Sequence, residues 1–146
     1  LMFHLTCTGL TFKRYQKAEF DRRVGVWNAR SRSFSKAGVY DPKHNQVMVV
    51  VQYWSPRILY HEMAHALDRL ISVREGSFSS GLWHGFAPTR IDFFSTYAAS
   101  HPSEYFAVCL ERFLCSDSDE LWLSLNDPGM HAFLTALFEL SATGET

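Results

Sequence analysis

Three residues, His61, Glu62 and His65, have the types and the spacing of a metal site on one predicted helix. Residues i and i+4 lie one above the other on a helix face, so two imidazoles at this spacing can bind one Zn²⁺ together. Glu62 is offset by about 100° around the axis, where a carboxylate can take a proton from a water at the metal. His-Glu-x-x-His on a helix is typical of zinc-dependent peptidases; the alternative is a chance arrangement on an exposed helix.

A catalytic zinc needs a third protein ligand and an open position for water. A motif that supplies a third histidine itself would require glycine at position 68 and histidine at position 71, but the chain has Asp68 and Ile71 there, which excludes that arrangement. Glu104, in the first turn of a later predicted helix, is the favoured ligand. Its alternative role is a favourable charge at the positive helix end. His101, beside Pro102, is the competing ligand.

Two more acidic residues lie at helical spacing from these candidates. Asp68 follows His65 by three residues and shares its face, so it is a candidate acceptor for an imidazole N–H behind the metal. A buried salt bridge or a capping role is the alternative for Asp68. Glu111 follows Glu104 by seven residues, and we expect a surface glutamate there rather than a group that supports the ligands.

The elements that must position these residues are predicted from periodicity and turn residues. Residues 10–24 predict a helix. A β-branched run behind a turn at 41–45 predicts a β-hairpin whose second strand, 46–54, is well buried. Ser55 and Pro56 then mark the start of the helix that carries the histidines, which extends to about residue 72. Later helices are predicted at 100–114, 120–125 and 128–140.

Composition and charge limit the class of protein. The chain has 146 residues, of which 47% are hydrophobic, enough for one domain with its own core. No apolar run reaches the roughly 18 residues of a membrane span, and the first ten residues make a poor signal peptide. Three cysteines, an odd number, argue against a disulfide framework. Residues 1–36 carry eight Lys/Arg against two Asp/Glu; we interpret this as a solvated helix face and expect no nucleic-acid partner.

Three separate segments together resemble a known family. Residues 61–68 (His-Glu-Met-Ala-His-Ala-Leu-Asp), Tyr97-Ala and residues 104–107 (Glu-Tyr-Phe-Ala) are similar to the anthrax lethal factor-like zinc metallopeptidases. That group includes the catalytic domain of lethal factor and the Pro-Pro endopeptidases. The predicted hairpin and residues 126–138 also resemble it, so the similarity covers mainly residues 37–140.

The resemblance implies one zincin-like α+β domain over residues 1–146, with a small β-sheet packed on the His61–His65 helix and a C-terminal helical part. It implies a zinc endopeptidase of gluzincin type, in which His61, His65 and Glu104 bind zinc and Glu62 is the general base. Tyr97 would donate a hydrogen bond to the oxyanion, a role that also suits a phenol beside a metal; a core aromatic is the alternative for Tyr97.

The resemblance also implies a protein or peptide substrate, and secretion or delivery as a toxin or effector. Ser103 stands where the Pro-Pro endopeptidases tend to carry an acidic residue, which puts proline–proline specificity in doubt. We expect a sheet strand, either 46–54 or the one near Val39, to pair with an extended substrate. The alternative function is a catalytically inactive zinc scaffold that engages a protein or nucleic-acid partner.

Overall fold

The computed structural model describes residues 9–28, 37–75 and 101–143. These residues form a mixed α+β arrangement of three strands and five helices, which confirms the predicted class. A short 3-10 turn, Val51–Tyr53, follows the third strand. In chain order the elements are β1 (Thr11–Tyr15), α1 (Lys17–Asn28), β2 (Gly38–Asp41), β3 (Gln46–Val50), α2 (Pro56–Glu75), α3 (Pro102–Cys115), α4 (Asp117–Asn126) and α5 (Pro128–Thr143).

The three strands form one sheet in the order β1-β3-β2. β2 and β3 are antiparallel, so the predicted hairpin is confirmed, although its second strand ends at Val50 rather than at residue 54. Its turn closes through Asp41, whose carboxylate accepts the Lys43 N–H at 2.9 Å. Asn45 takes a positive φ of 49°, a conformation that asparagine tolerates better than most residues.

The helix predicted over residues 10–24 is wrong in its first part. Thr11–Tyr15 is β1, which pairs in parallel with β3 in the register Thr11↔Gln46, and α1 begins only at Lys17. Local periodicity favoured a helix, but pairing with β3 satisfies the backbone groups of these residues, and tertiary context commonly overrides propensity.

The side chains of β3 alternate between two hydrophobic clusters, as the period of a strand requires. Val47 and Val49 pack in the larger cluster with residues of α2 and α3. Met48 and Val50 pack in the smaller cluster with Phe20 of α1. Because helices cover β3 from both faces, the strand is an almost continuous apolar run. The predicted burial is confirmed for Gln46–Val50, whereas Val51, Tyr53 and Trp54, at the end of the predicted strand, are exposed.

The helices that carry the candidate site begin with residues suited to helix ends. Pro56, Pro102 and Pro128 are the first residues of α2, α3 and α5, where the missing proline N–H removes no helical hydrogen bond. Asp127 caps α5 by accepting the Met130 N–H at 3.0 Å. Within the described residues, none of the helices combines the length and the apolar character that a bilayer span would require.

Candidate metal centre

The two histidines of the motif lie on successive turns of α2. Their ring centroids are 5.2 Å apart and the rings are nearly perpendicular. Elsewhere on the same helix, Met63, Ala64 and Leu67 are buried in the core. The apolar face of α2 therefore fixes the helix against the sheet and α3, and the histidine face lines a partly open polar site.

Glu104 meets both histidines from the first turn of α3. Its Oε2 lies 3.1 Å from Nε2 of His61 and 3.5 Å from Nε2 of His65. Ala64 of α2 and Ala107 of α3 are fully buried in the same hydrophobic cluster, and their small side chains leave room for the two helices to approach. One ligand atom from each of the three polar residues lies within 4.8 Å of the others, so the predicted set converges.

His101, the competing candidate, has a different role. It is the N-cap of α3, where its Nδ1 accepts the Ser103 N–H at 3.1 Å and its backbone is extended. A residue immediately before a helix is well placed to satisfy the free N–H groups of the first turn. Among the described residues, His101 does not belong to the convergent group.

The chemistry of the three residues fits a divalent metal ion. Two imidazole nitrogens and a carboxylate oxygen are a common ligand set of catalytic zinc. Each Nε2 either donates to Glu104 when it carries a proton or offers a lone pair to a cation when it does not. Burial acts to lower the pKa of His61, but hydrogen bonds to Glu104 and Glu111 outweigh it and raise the pKa to about 10. The carboxylates around His61 therefore favour a positive charge on its ring.

Glu62 lies where α2 passes the edge strand β2, and its side chain is buried. A Cβ on Gly38 would stand 3.1 Å from Cγ of Glu62 and 2.9 Å from Cγ2 of Ile58. Glycine at this position therefore allows β2 to run directly beside Glu62. The negative charge of Glu62 also contributes to the raised pKa of His61.

Glu111 is not the surface residue that we expected. Its side chain is only 14% exposed, and Oε2 lies 3.1 Å from Nδ1 of His61. Its other oxygen accepts a hydrogen bond from Arg57 at 2.8 Å. The seven-residue spacing from Glu104 already placed both glutamates on one face of α3; the missing signal was the neutralising Arg57, which lies 54 residues earlier in the chain.

Asp68, on the histidine face of α2, is buried. Burial raises the pKa of Asp68 to about 7, and the charge of His65 acts in the opposite direction. The two groups therefore interact electrostatically, and the hydrogen bond from an imidazole stays a prediction. Tyr97 and the aromatic segment 76–88 lie outside the described residues.

Comparison with known proteins finds a similar fold among solved structures but no match by sequence. No family model matches the sequence, and no curated protein matches it. Five chains of solved structures match. One is the structure of the Pro-Pro endopeptidase PPEP-2 from Paenibacillus alvei, with a TM-score of 0.69 and 20% sequence identity; the match covers 91% of this chain and 80% of that chain. The chain thus has a fold similar to that of a Pro-Pro endopeptidase, whereas the lethal factor-like assignment receives no support from this comparison.

Proposed function

We propose that the chain is a zinc-dependent endopeptidase that hydrolyses peptide bonds of a protein substrate. The observation that carries the proposal is the convergence of His61 Nε2, His65 Nε2 and Glu104 Oε2 between α2 and α3. The similarity of fold to a Pro-Pro endopeptidase supports a peptidase from a separate direction. The gluzincin type, zinc as the metal and a single domain over residues 1–146 are parts of this proposal.

Each candidate residue has a defined role in the proposed reaction. His61, His65 and Glu104 hold the ion, which when bound supplies Lewis acidity that polarises the carbonyl and acidifies water. Glu62 takes a proton from the attacking water and returns it to the nitrogen of the leaving amine, so one water is consumed for each peptide bond broken. Tyr97 donates a hydrogen bond to the carbonyl oxygen as it gains negative charge.

The sheet topology favours β2 as the strand that pairs with substrate. β3 lies between β1 and β2, so its backbone already pairs on both sides, which argues for the strand near Val39 as the one of the two alternatives that pairs with substrate. β2 is an edge strand of the described sheet, and at Gly38 it packs against Glu62. An extended peptide added to this edge would run past the carboxylate that the reaction needs.

Two finer features of the proposal depend on the family resemblance alone. One is secretion or delivery as a toxin or effector. The other is the subgroup of substrates, for which Ser103, immediately before Glu104, argues against proline–proline bonds. A peptide library that contains both proline–proline and other bonds separates these subgroups.

The test is cleavage of that library by the purified chain, with and without a chelator, followed by addition of zinc. We expect cleavage that the chelator abolishes and zinc restores. Glu62→Gln, which keeps the size of the side chain, is the matched variant for background cleavage. A chain that binds zinc but cuts neither the library nor a denatured proteome would overturn the proposal in favour of an inactive zinc scaffold.

A further inference from the structure

The two ring nitrogens of His61 face two different carboxylates. Nε2 lies 3.1 Å from Oε2 of Glu104, and Nδ1 lies 3.1 Å from Oε2 of Glu111. If Nε2 binds a metal, Nδ1 must carry the ring proton and Glu111 must accept it. The side chains of His61 and Glu111 are 12% and 14% exposed, so water screens this contact only weakly.

Glu111 is itself held by an arginine that spans three helices. Arg57 of α2 donates from Nη1 to Oε1 of Glu111 and from Nη2 to Oδ2 of Asp119 on α4, both at 2.8 Å. Its hydrogen bond to Glu111 is the main cause that raises the pKa of Arg57, against the opposing effect of burial. With one oxygen on Arg57 and the other on His61, the Glu111 carboxylate has a fixed orientation.

Asp119 is anchored at the start of α4. The N–H of Asp119 donates to Oγ of Ser116, the N-cap of the helix, at 3.1 Å. Oγ of Ser116 donates to Oδ2 of Asp119, also at 3.1 Å, and Arg112 donates to Oδ1 at 3.3 Å. The chain of contacts therefore runs from a helix cap through Asp119, Arg57 and Glu111 to the imidazole of His61.

We propose that Glu111 and Arg57 are positioning residues that set the affinity of His61 for the metal, and that the first turn of α4 is coupled to the metal centre through them. This inference rests on the proposed function only in taking His61 as a ligand. An acceptor behind a ligating histidine fixes its tautomer and ring orientation and raises its basicity, and loss of such an acceptor typically weakens metal binding about 10–100-fold.

The alternative is that the Arg57–Glu111 pair only holds α2 against α3. Conservative variants separate the two roles. Glu111→Gln keeps the shape but removes the charge that favours the Nδ1 proton. Arg57→Lys keeps the charge, but an ammonium lacks the fork that reaches both carboxylates. The effect on metal affinity should therefore be largest in Glu111→Gln and smaller in Arg57→Lys.

The experiment is competition for Zn²⁺ between the purified chain and a chromophoric chelator, together with the absorption spectrum of the Co²⁺-loaded chain. Glu120→Gln is the matched control, because it removes a carboxylate that lies 3.2 Å from His131, a histidine outside the convergent group. We expect Glu111→Gln to bind zinc about 10–100-fold more weakly than the wild type and to shift the Co²⁺ bands, and Glu120→Gln to do neither.

The outcomes distinguish this inference from the function on which it rests. If the wild type binds zinc and His61→Ala does not, the ligand assignment stands. Equal zinc affinity and equal Co²⁺ spectra for Glu111→Gln and Glu120→Gln would then overturn the positioning role alone. If His61→Ala binds zinc as tightly as the wild type, the proposed metal site itself fails, and the positioning role fails with it.

Discussion

Two faces of α3 carry two polar clusters that differ in their exposure to solvent and in their hydrogen-bonding partners. One face presents Glu104 and Glu111 to the histidines of α2, where the side chains are 12–22% exposed. The other face presents Tyr105, whose hydroxyl donates to Asp127 at the start of α5, and both residues are at most 1% exposed. Glu104 and Tyr105 are neighbours in the chain, yet about 100° of helix rotation gives them different surroundings.

The difference lies in the balance of donors and acceptors. In the buried cluster, Asp127 accepts from the Tyr105 hydroxyl and from the Met130 N–H, so its two oxygens each have a donor. Burial raises the pKa of Tyr105 and of nearby Cys109, which keeps both groups neutral. At the other face one atom from each of His61, His65 and Glu104 lies within 4.8 Å of the others, and all three are potential metal ligands. A cluster whose donors and acceptors are matched stabilises the fold, whereas a convergent set of metal-ligating atoms offers a binding site.

The largest expected effect is on turnover, from substitution of Glu62, which lies beside the histidines of α2. Glu62→Gln should lower turnover by about 10²–10⁴-fold, the usual contribution of a general base, while zinc affinity is kept because Glu62 is not a ligand. Parallel measurement of peptide cleavage and zinc content checks both statements. Turnover close to that of the wild type would remove Glu62 from the reaction.

Tyr97→Phe should have the next largest effect. Loss of one donor to a developing oxyanion typically raises the barrier by about 2.7–4 kcal/mol, so kcat should fall with little change in zinc affinity. Steady-state kinetics on the best peptide of the library measures it. A variant with lower stability and unchanged kcat would instead assign Tyr97 to the core.

Tyr105→Phe tests the balanced cluster. Removal of the hydroxyl leaves the buried Asp127 carboxylate without that donor, which should lower the free energy of unfolding by about 1–3 kcal/mol. Zinc affinity should not change, because the affected face of α3 points away from the ligands. Urea denaturation and chelator competition measure the two quantities, and a variant that loses zinc but keeps its stability would contradict the distinction between the two faces.

Gly38→Ala should have a smaller effect on stability than Tyr105→Phe. The new Cβ would stand 2.9 Å from Ile58 and 3.1 Å from Glu62. Overpacking costs about 1–3 kcal/mol, and we expect the lower end because β2, an edge strand, has room to shift. Thermal unfolding measures the loss, and cleavage assays should show lower activity from a displaced Glu62. A fully active and fully stable variant would exclude this close contact.

The sequence predicted those parts of the fold that depend on local signals. The hairpin followed from a β-branched run behind a turn, and α2 followed from Ser55 and Pro56, whose cap is confirmed by the Ile58 N–H that donates to Ser55 Oγ. β1 could not be predicted in the same way, because it is a strand only through pairing with β3, 35 residues away. Non-local pairing leaves no periodic signal in a segment that also has helical spacing.

The residues of the candidate site also differ in whether local signals could predict them. His61 and His65 were visible from one helix, and Glu104 from the start of another, because each depends on spacing within its own segment. The role of Glu111 was missed because it requires Arg57 and His61 from a different helix. From the sequence alone, a glutamate seven residues after a ligand cannot be distinguished from a surface residue, because its partners lie on another helix.

The most direct test of the account is the structure of the chain loaded with zinc. We predict one ion about 2.0–2.2 Å from Nε2 of His61, Nε2 of His65 and a carboxylate oxygen of Glu104, with Nδ1 of His61 still on Glu111. An ion bound elsewhere, or a Glu104 side chain turned away from the two histidines in the zinc-loaded chain, would contradict the metal centre and the endopeptidase built on it.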